Sequence, residues 1–280
     1  MYEVRRSRLR FPNFKLRAVT LSYDDGQIHD KKMLEIMSRY GIKGTFNIGS
    51  ACYGSSSRPA YLTKEQAIEL YNKYNVEVAV HGKKHLALTE VDTSVAYTEI
   101  LECRDELEKD FKRIIRGSAY AYGTVSDRAI KVLKDCGIVY GRIVGGSEDF
   151  SLPADWFRWQ GTCHHQNPRL MELVDKFLSE PESDRFWHKY PRLFYLWGHS
   201  YEFNNNNNWE LLEKFCEKIG NRDDVWYATN IEIYEYVKAF DNLRFTADGK
   251  LVENSSNIDV YTFINGKNVL IPKYQTIEVE

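Results

Sequence analysis

"AVTLSYDDG" (residues 18–26) runs an apolar stretch straight into two adjacent aspartates and a glycine. The segment "AVTLSY" (18–23) has the length and composition of a short buried strand. Ending it on Asp24 and Asp25 sets two like charges side by side, which is unfavourable unless a neighbouring group interacts with both. The flanking pattern says what kind of strand this is. "DKKMLEIMSRYG" (30–41) begins on Asp and stops on Gly, as a helix does.

The alternation continues along the chain. "GTFNI" (44–48) and "VEVAV" (76–80) read as strands, with the helix "TKEQAIELYNKY" (63–74) between them. That helix opens on Thr63 with Gln66 three residues later, the capping-box spacing. A long charged helix is expected over 93–115, a strand near 117–121, the helix "SDRAIKVLKDCG" (126–137) and the strand "IVYGRIV" (138–144). An irregular, Trp-rich section follows. Then come a helix over 168–179, the strand "RLFYLW" (192–197), a helix over 209–219, the strand "VWYAT" (225–229) and a last helix over 230–240. About seven strand-then-helix units predict an α/β fold, a distorted (β/α)7-type parallel barrel. From 241 the pattern changes. Asp248-Gly249 and Asn265-Gly266 sit between alternating residues, a hairpin signal. The expectation is a barrel over 1–240 and a small C-terminal β-hairpin extension over 241–280. The asparagine run 204–208 is read as a solvated loop.

Composition bounds the function classes. A chain of 280 residues with 28% charged residues and a formal net charge of −2 carries no basic excess for nucleic acid. No apolar run is long enough for a membrane span. The N-terminus is basic but lacks the apolar centre of a signal peptide, so a soluble cytoplasmic protein is expected. The five cysteines are scattered and suggest no disulfide framework. Cys103, Cys136 and Cys216 fall in helical segments, as small buried hydrophobes. Nothing in the sequence fixes the oligomeric state.

Barrels of this kind place their active sites at the C-terminal ends of the strands. Asp24 and Asp25 follow the first strand. His81 follows the third, with His85 four residues on in "HGKKH" (81–85). Tyr122 follows the fourth, and His199 follows "RLFYLW" in "LWGHS" (196–200). On a helical turn, His-x-x-x-His would set both imidazoles on one face, suited to metal capture. A carboxylate from another strand end completes a His-His-Asp set with positions left for water. The second aspartate is then free to act as a base, so two adjacent carboxylates are tolerated.

These motifs, in this order, resemble the polysaccharide deacetylase family, carbohydrate esterase family four. The family's Thr-Phe-Asp-Asp-Gly is matched by "SYDDG" (22–26) and its His-Ser/Thr-x-x-His by "HGKKH". The resemblance implies Asp24 as general base, with Asp25, His81 and His85 as ligands of one divalent ion. Zinc is the expected ion, with cobalt, nickel or iron suiting the same ligands. The family's Arg-x-Pro-Tyr/Phe aligns with "AYAYG" (119–123), which makes the Tyr122 N–H an oxyanion donor. Its Leu-x-His makes His199 the general acid. The implied reaction is hydrolysis of an N-acetyl group, or an O-acetyl group, on an amino sugar or oligosaccharide. Removal of formyl or another acyl group, and a carbohydrate-binding pseudoenzyme, are the other readings.

The departures are specific. The third-motif arginine is Ala119, and two residues instead of one separate Leu196 from His199. "PADWFRWQGTCHH" (153–165) occupies the place of the tryptophan motif without matching it. A replacement cation beside Asp24 is sought in Arg142, Arg158 or the pair His164-His165. That pair, with Trp197 and Tyr201, is otherwise expected to contact substrate or support the site. Cys163 has no partner at zinc-ligand spacing. His29 and His188 are expected at the surface. Trp156, Trp159, Trp187 and Trp209 flank the strand ends as packing residues, or as one or two sugar platforms.

Overall fold

The computed structural model describes residues 6–179 and 190–279. After β1 (Leu9–Arg10) comes β2 (Arg17–Asp24), buried throughout its length. The first half continues with α1 (Asp30–Arg39), β3 (Gly44–Ile48), α2 (Lys64–Lys73), β4 (Glu77–Val80), α3 (Thr93–Phe111), β5 (Gly117–Ala119), α4 (Asp127–Asp135) and β6 (Tyr140–Ile143). The second half supplies β7 (Trp159–Gln160), β8 (Cys163–His164), α5 (Leu170–Leu178), β9 (Arg192–His199), α6 (Ser200–Asn205), α7 (Trp209–Ile219), β10 (Val225–Tyr227) and α8 (Asn230–Asp241).

The sheet follows the path β7-β6-β5-β4-β3-β2-β9-β8, and its pairings are parallel. A ninth strand, β10, pairs with Arg17–Val19 at the start of β2, while β3 pairs with Leu21–Asp24 at its end. The two strands thus share one edge of β2. At the other extreme, β7 and β8 are joined directly through Gly161 and Thr162, and the Thr162 N–H donates to the Tyr195 carbonyl at 2.8 Å. The sheet is therefore a curled, irregular barrel, as the alternating pattern predicts.

β2 shows how period-two alternation builds the two layers. Val19, Leu21 and Tyr23 join the apolar cluster that includes Met33, Ile36 and Met37 of α1. Thr20, Ser22 and Asp24 face the interior, where the Thr20 hydroxyl donates to Asn230 Oδ1 and Ser22 Oγ accepts from Asn47 Nδ2. This barrel is filled by polar groups as well as by Trp159 and Tyr195, which pack at 4.9 Å between ring centroids. Among the described residues no helix is long and apolar enough to cross a membrane.

Most elements lie within a few residues of their expected bounds. α2 carries the predicted reciprocal cap between Thr63 and Gln66. The long third helix ends at Phe111 instead of 115, because Lys112 turns left-handed at φ 54°. α6 was not expected: Asn204 and Asn205 close a short helix, and only the rest of the asparagine run forms a turn. The Trp-rich section hides β7 and β8, too short to show a period.

Beyond α8, the chain forms β11 (Arg244–Phe245), β12 (Leu251–Asn254), β13 (Val260–Ile264), β14 (Lys267–Ile271) and β15 (Gln275–Glu278). The β13–β14 hairpin turns at Asn265 (φ 50°) and Gly266 (φ 81°), the left-handed pair a tight hairpin requires. One three-stranded sheet is β11-β12-β15; the other is β1-β13-β14, so Leu9 and Arg10 complete a sheet built mainly from the C-terminal segment. The Tyr236 hydroxyl of α8 donates to the Arg10 carbonyl and accepts from the Tyr261 N–H at 3.0 Å.

Candidate metal and catalytic site

Strand register assembles the first row of the site. On β2, Asp24 is the pairing partner of Asn47 on β3 and of His199 on β9. Parallel strands in this register bring three polar side chains to one end of the barrel. Asn47 Nδ2 donates to Asp24 Oδ1 at 2.9 Å, and His199 Nε2 lies 3.9 Å from Asp24 Oδ2.

The cation beside Asp24 is Arg142, fully buried and hydrogen-bonded through Nη2 to Asp24 Oδ2. Its position answers the loss at 119: in the β5–β6 ladder Ala119 pairs with Arg142. The guanidinium also lies 4.6 Å from the Trp197 ring centroid. Arg158 is instead engaged by Asp127 and Asp155. Burial alone would raise the Asp24 pKa, but Arg142, His81 and His199 together outweigh it and hold the carboxyl below its usual range.

The two motif histidines do not sit on a helical turn. Residues 81–86 form a loop with Gly82 at φ 82° and His85 at φ 61°. A helix cannot start there, because both backbones are left-handed. The loop still brings His81 Nε2 and His85 Nε2 to 3.1 Å, each 3.7 Å from Asp25 Oδ1. His81 Nδ1 lies 2.9 Å from the Ala119 carbonyl. A carbonyl can only accept, so Nδ1 carries a proton, and Nε2 is the ring nitrogen turned toward the carboxylates. Two imidazole nitrogens and a carboxylate oxygen so close together fit a divalent cation, and a ligand histidine held by a backbone carbonyl is the usual arrangement.

Tyr122 is 68% exposed, and its ring meets His85 edge-on at 4.6 Å between centroids. On the other side, Tyr201 lies 5.2 Å from His199. Trp197 is buried, with Nε1 donating to the Gly145 carbonyl at 2.6 Å.

Glu202, which the sequence reading missed, gathers the remaining imidazoles. Its Oε2 accepts the His199 N–H at 3.1 Å and lies 3.3 Å from His199 Nδ1, 3.0 Å from His164 Nε2 and 3.4 Å from His165 Nε2. The signal was present: a glutamate three residues after a strand end, at the spacing that closes a helix start. Although His164, His165 and Glu202 are close enough to share an ion, the Gln166 N–H donates to His164 Nδ1 at 3.1 Å. His164 therefore carries its proton on Nε2 and donates to Glu202, which makes this a hydrogen-bonded cluster and a poor metal cage. Burial, reinforced by His164, pushes His165 down to about 3, so it is neutral. Burial tends to lower His199 as well, but the Glu202 hydrogen bond and then Asp24 and Asp25 raise it above its ordinary value.

Asp30, also unforeseen, accepts from the Tyr71 hydroxyl at 2.6 Å and from the hydroxyl of Ser200, the residue after His199. Burial pushes its carboxyl up to about 7. Trp156 and Trp159 pack edge-to-face at 4.9 Å as core residues. His29 is half-buried just before α1, its ring 6.4 Å from that of Trp209, while Trp187 and His188 lie outside the described residues. Cys163 is buried. A depression of about 550 Å³ lined by Lys32, Ile36 and Trp209 lies between α1 and α7 and holds none of the strand-end residues.

Residues 12–141 match the family model described as polysaccharide deacetylase. No curated protein sequence matches the chain. Among solved structures, a Mycobacterium smegmatis protein named for the polysaccharide deacetylases aligns at 16% identity and TM-score 0.60, over 83% of this chain and 93% of that one. The family 4 carbohydrate esterase of Streptomyces lividans, in complex with acetate, aligns at 12% identity and TM-score 0.51, over 76% and 93%. A mutant of a Bacillus anthracis CE4-family pseudoenzyme, with restored enzymatic activity, aligns at 14% identity and TM-score 0.50, over 79% and 68%. At these identities the likeness shows the fold.

Proposed function

We propose that the chain, whose residues 12–141 match the polysaccharide deacetylase family model, is a metal-dependent hydrolase that removes acetyl groups from an amino sugar or oligosaccharide. The observation that carries this reading is the convergence of His81 Nε2, His85 Nε2 and Asp25 Oδ1 beside an Asp24 whose pKa Arg142 holds down.

Asp25, His81 and His85 would hold one divalent ion, zinc first, with cobalt, nickel or iron also suited. Such an ion supplies Lewis acidity to water and to the acyl oxygen. Asp24, ionised across the neutral range, takes a proton from the attacking water. The Tyr122 N–H donates to the oxygen on which charge develops. His199, with Nδ1–H directed at Glu202, delivers a proton from Nε2 to the departing amine, since an amide nitrogen does not leave as an anion. Tyr122 and Tyr201, on either side of these groups, would contact the sugar ring, while His164, His165 and Trp197 hold Glu202 and Arg142 in place. In this scheme the catalytic barrel is assigned to 1–240 and the extension to 241–280, with Leu9 and Arg10 adding a strand to the extension's sheet.

A binding-only pseudoenzyme is motivated by the missing arginine and by the β appendage, and Arg142 beside Asp24 speaks against the first of these. The test is acetate release by metal-reconstituted protein on N-acetylglucosamine, its short oligomers, peptidoglycan fragments and an acetylated xylo-oligosaccharide. Release is expected from the wild type, and Asp24→Asn should lower it by about 10²–10⁴ with the metal still bound. Turnover retained by Asp24→Asn removes Asp24 from the base role. No release from any substrate, with metal verified, moves the reading to another acyl group or to binding alone.

A further inference from the structure

α3 lies against the histidine loop and sends one carboxylate into it. Glu99 is 3% exposed, an unusual depth for a charged helical side chain. Its Oε1 accepts the Lys84 N–H at 2.7 Å and the Leu86 N–H at 3.0 Å. Its own backbone carbonyl accepts the Lys83 N–H at 2.9 Å. The two amides that converge on Oε1 belong to the residues on either side of His85, whose left-handed backbone turns both N–H groups to one side. Successive amides in such a turn make an anion-binding concavity, and Glu99 fills it. Gly82 is shaped by the same contact: a Cβ there would lie 2.7 Å from Glu99 Oε1.

We infer that Glu99 is a positioning residue for His85, and that the affinity of the site for its metal is set in part by this carboxylate. The inference rests on the proposed metal site. With the 83–84 and 85–86 peptide units both fixed to α3, the backbone on either side of His85 is anchored and its side chain is directed before any ion arrives. His85 then meets His81 Nε2 at 3.1 Å without ordering a free loop on binding. Lys83 adds to the same docking through Glu102 and Glu106, also on α3. Without Glu99 two buried amides lose their acceptor, and the left-handed turn at His85 loses the contact that pays for it.

The experiment measures zinc affinity of the full chain by competition with a chromophoric chelator, alongside the melting temperature of the metal-free protein. Glu99→Ala should weaken zinc by about 10–100-fold, the range found when a residue supporting a metal ligand is removed. Glu99→Gln, whose side-chain carbonyl can still accept both amides, should stay within about threefold of wild type on the same grounds. Should Glu99→Ala fail to fold, Glu99→Asp keeps the charge but withdraws the acceptor by about one C–C bond, roughly 1.5 Å, and should weaken zinc likewise. A folded Glu99→Ala or Glu99→Asp that binds zinc as tightly as wild type overturns the positioning role. A wild-type chain that binds no zinc, cobalt or nickel overturns it together with the proposed metal site. Wild-type binding with unchanged variants overturns the Glu99 role alone.

Discussion

Asp24 is buried beside a second carboxylate and yet held in its charged form, because the lost hydration is outweighed by Arg142 with His81 and His199. Replacing Arg142 by Met leaves that charge unpaired, which costs about 3–5 kcal/mol for a buried pair and should show as a lower melting temperature. The base must be deprotonated to work, so activity falls as pH drops through the Asp24 pKa. Arg142→Met should therefore move the acid limb of kcat/KM upward, and an unmoved limb would separate Arg142 from the base. An Ala119→Arg change placed in the Arg142→Ala background tests the register argument, with partial return of activity expected. His199 is the mirror case. It acts protonated, so turnover falls as pH rises through its raised pKa, and Glu202→Gln should shift that alkaline limb downward. At this scale the sequence singled out Asp24, Asp25, His81, His85 and His199, and the structure brings them within reach of one another. Arg142 was one of three candidates, because only the pairing of β5 with β6 shows which cation lies beside position 119. Glu202 escaped because its partners are 37 and 38 positions earlier as well as three.

At the scale of elements, regular alternation was easy to read and irregular joints were not. β3 and α7 have their expected bounds, and α2 carries its predicted cap. Thr63→Ala should cost about 1 kcal/mol, or about 2–4 °C in Tm for a chain of this size, with kcat unchanged. A loss of activity in that variant would mean that α2 supports the site. The histidine loop was expected to be helical because i,i+4 spacing is helical by default. The backbone instead turns left-handed at Gly82 and His85, and its hydrogen bonds go to a helix 15 and 13 positions away. No local pattern encodes that. β7 and β8, two residues each, are legible only through the strands they join.

For the molecule as a whole, the C-terminal extension is packed into the barrel rather than hung from it. Val252, Val260, Ile264 and Ile271 share an apolar cluster with Leu9, Phe11, Tyr236 and Phe240. Ending the chain after Asp241 would uncover the last four of these, so the shortened protein should melt earlier or aggregate. Thermal unfolding and gel filtration would show it, and a truncated barrel as stable as the full chain would make the extension dispensable. The Arg8 carbonyl accepts from the Thr262 hydroxyl across 254 positions of chain. During synthesis at about 5–20 residues per second, the first strand thus waits roughly 10–50 s for its partner to leave the ribosome. The barrel strands have all emerged by then, and the chain's earliest segment is among the last to find its place.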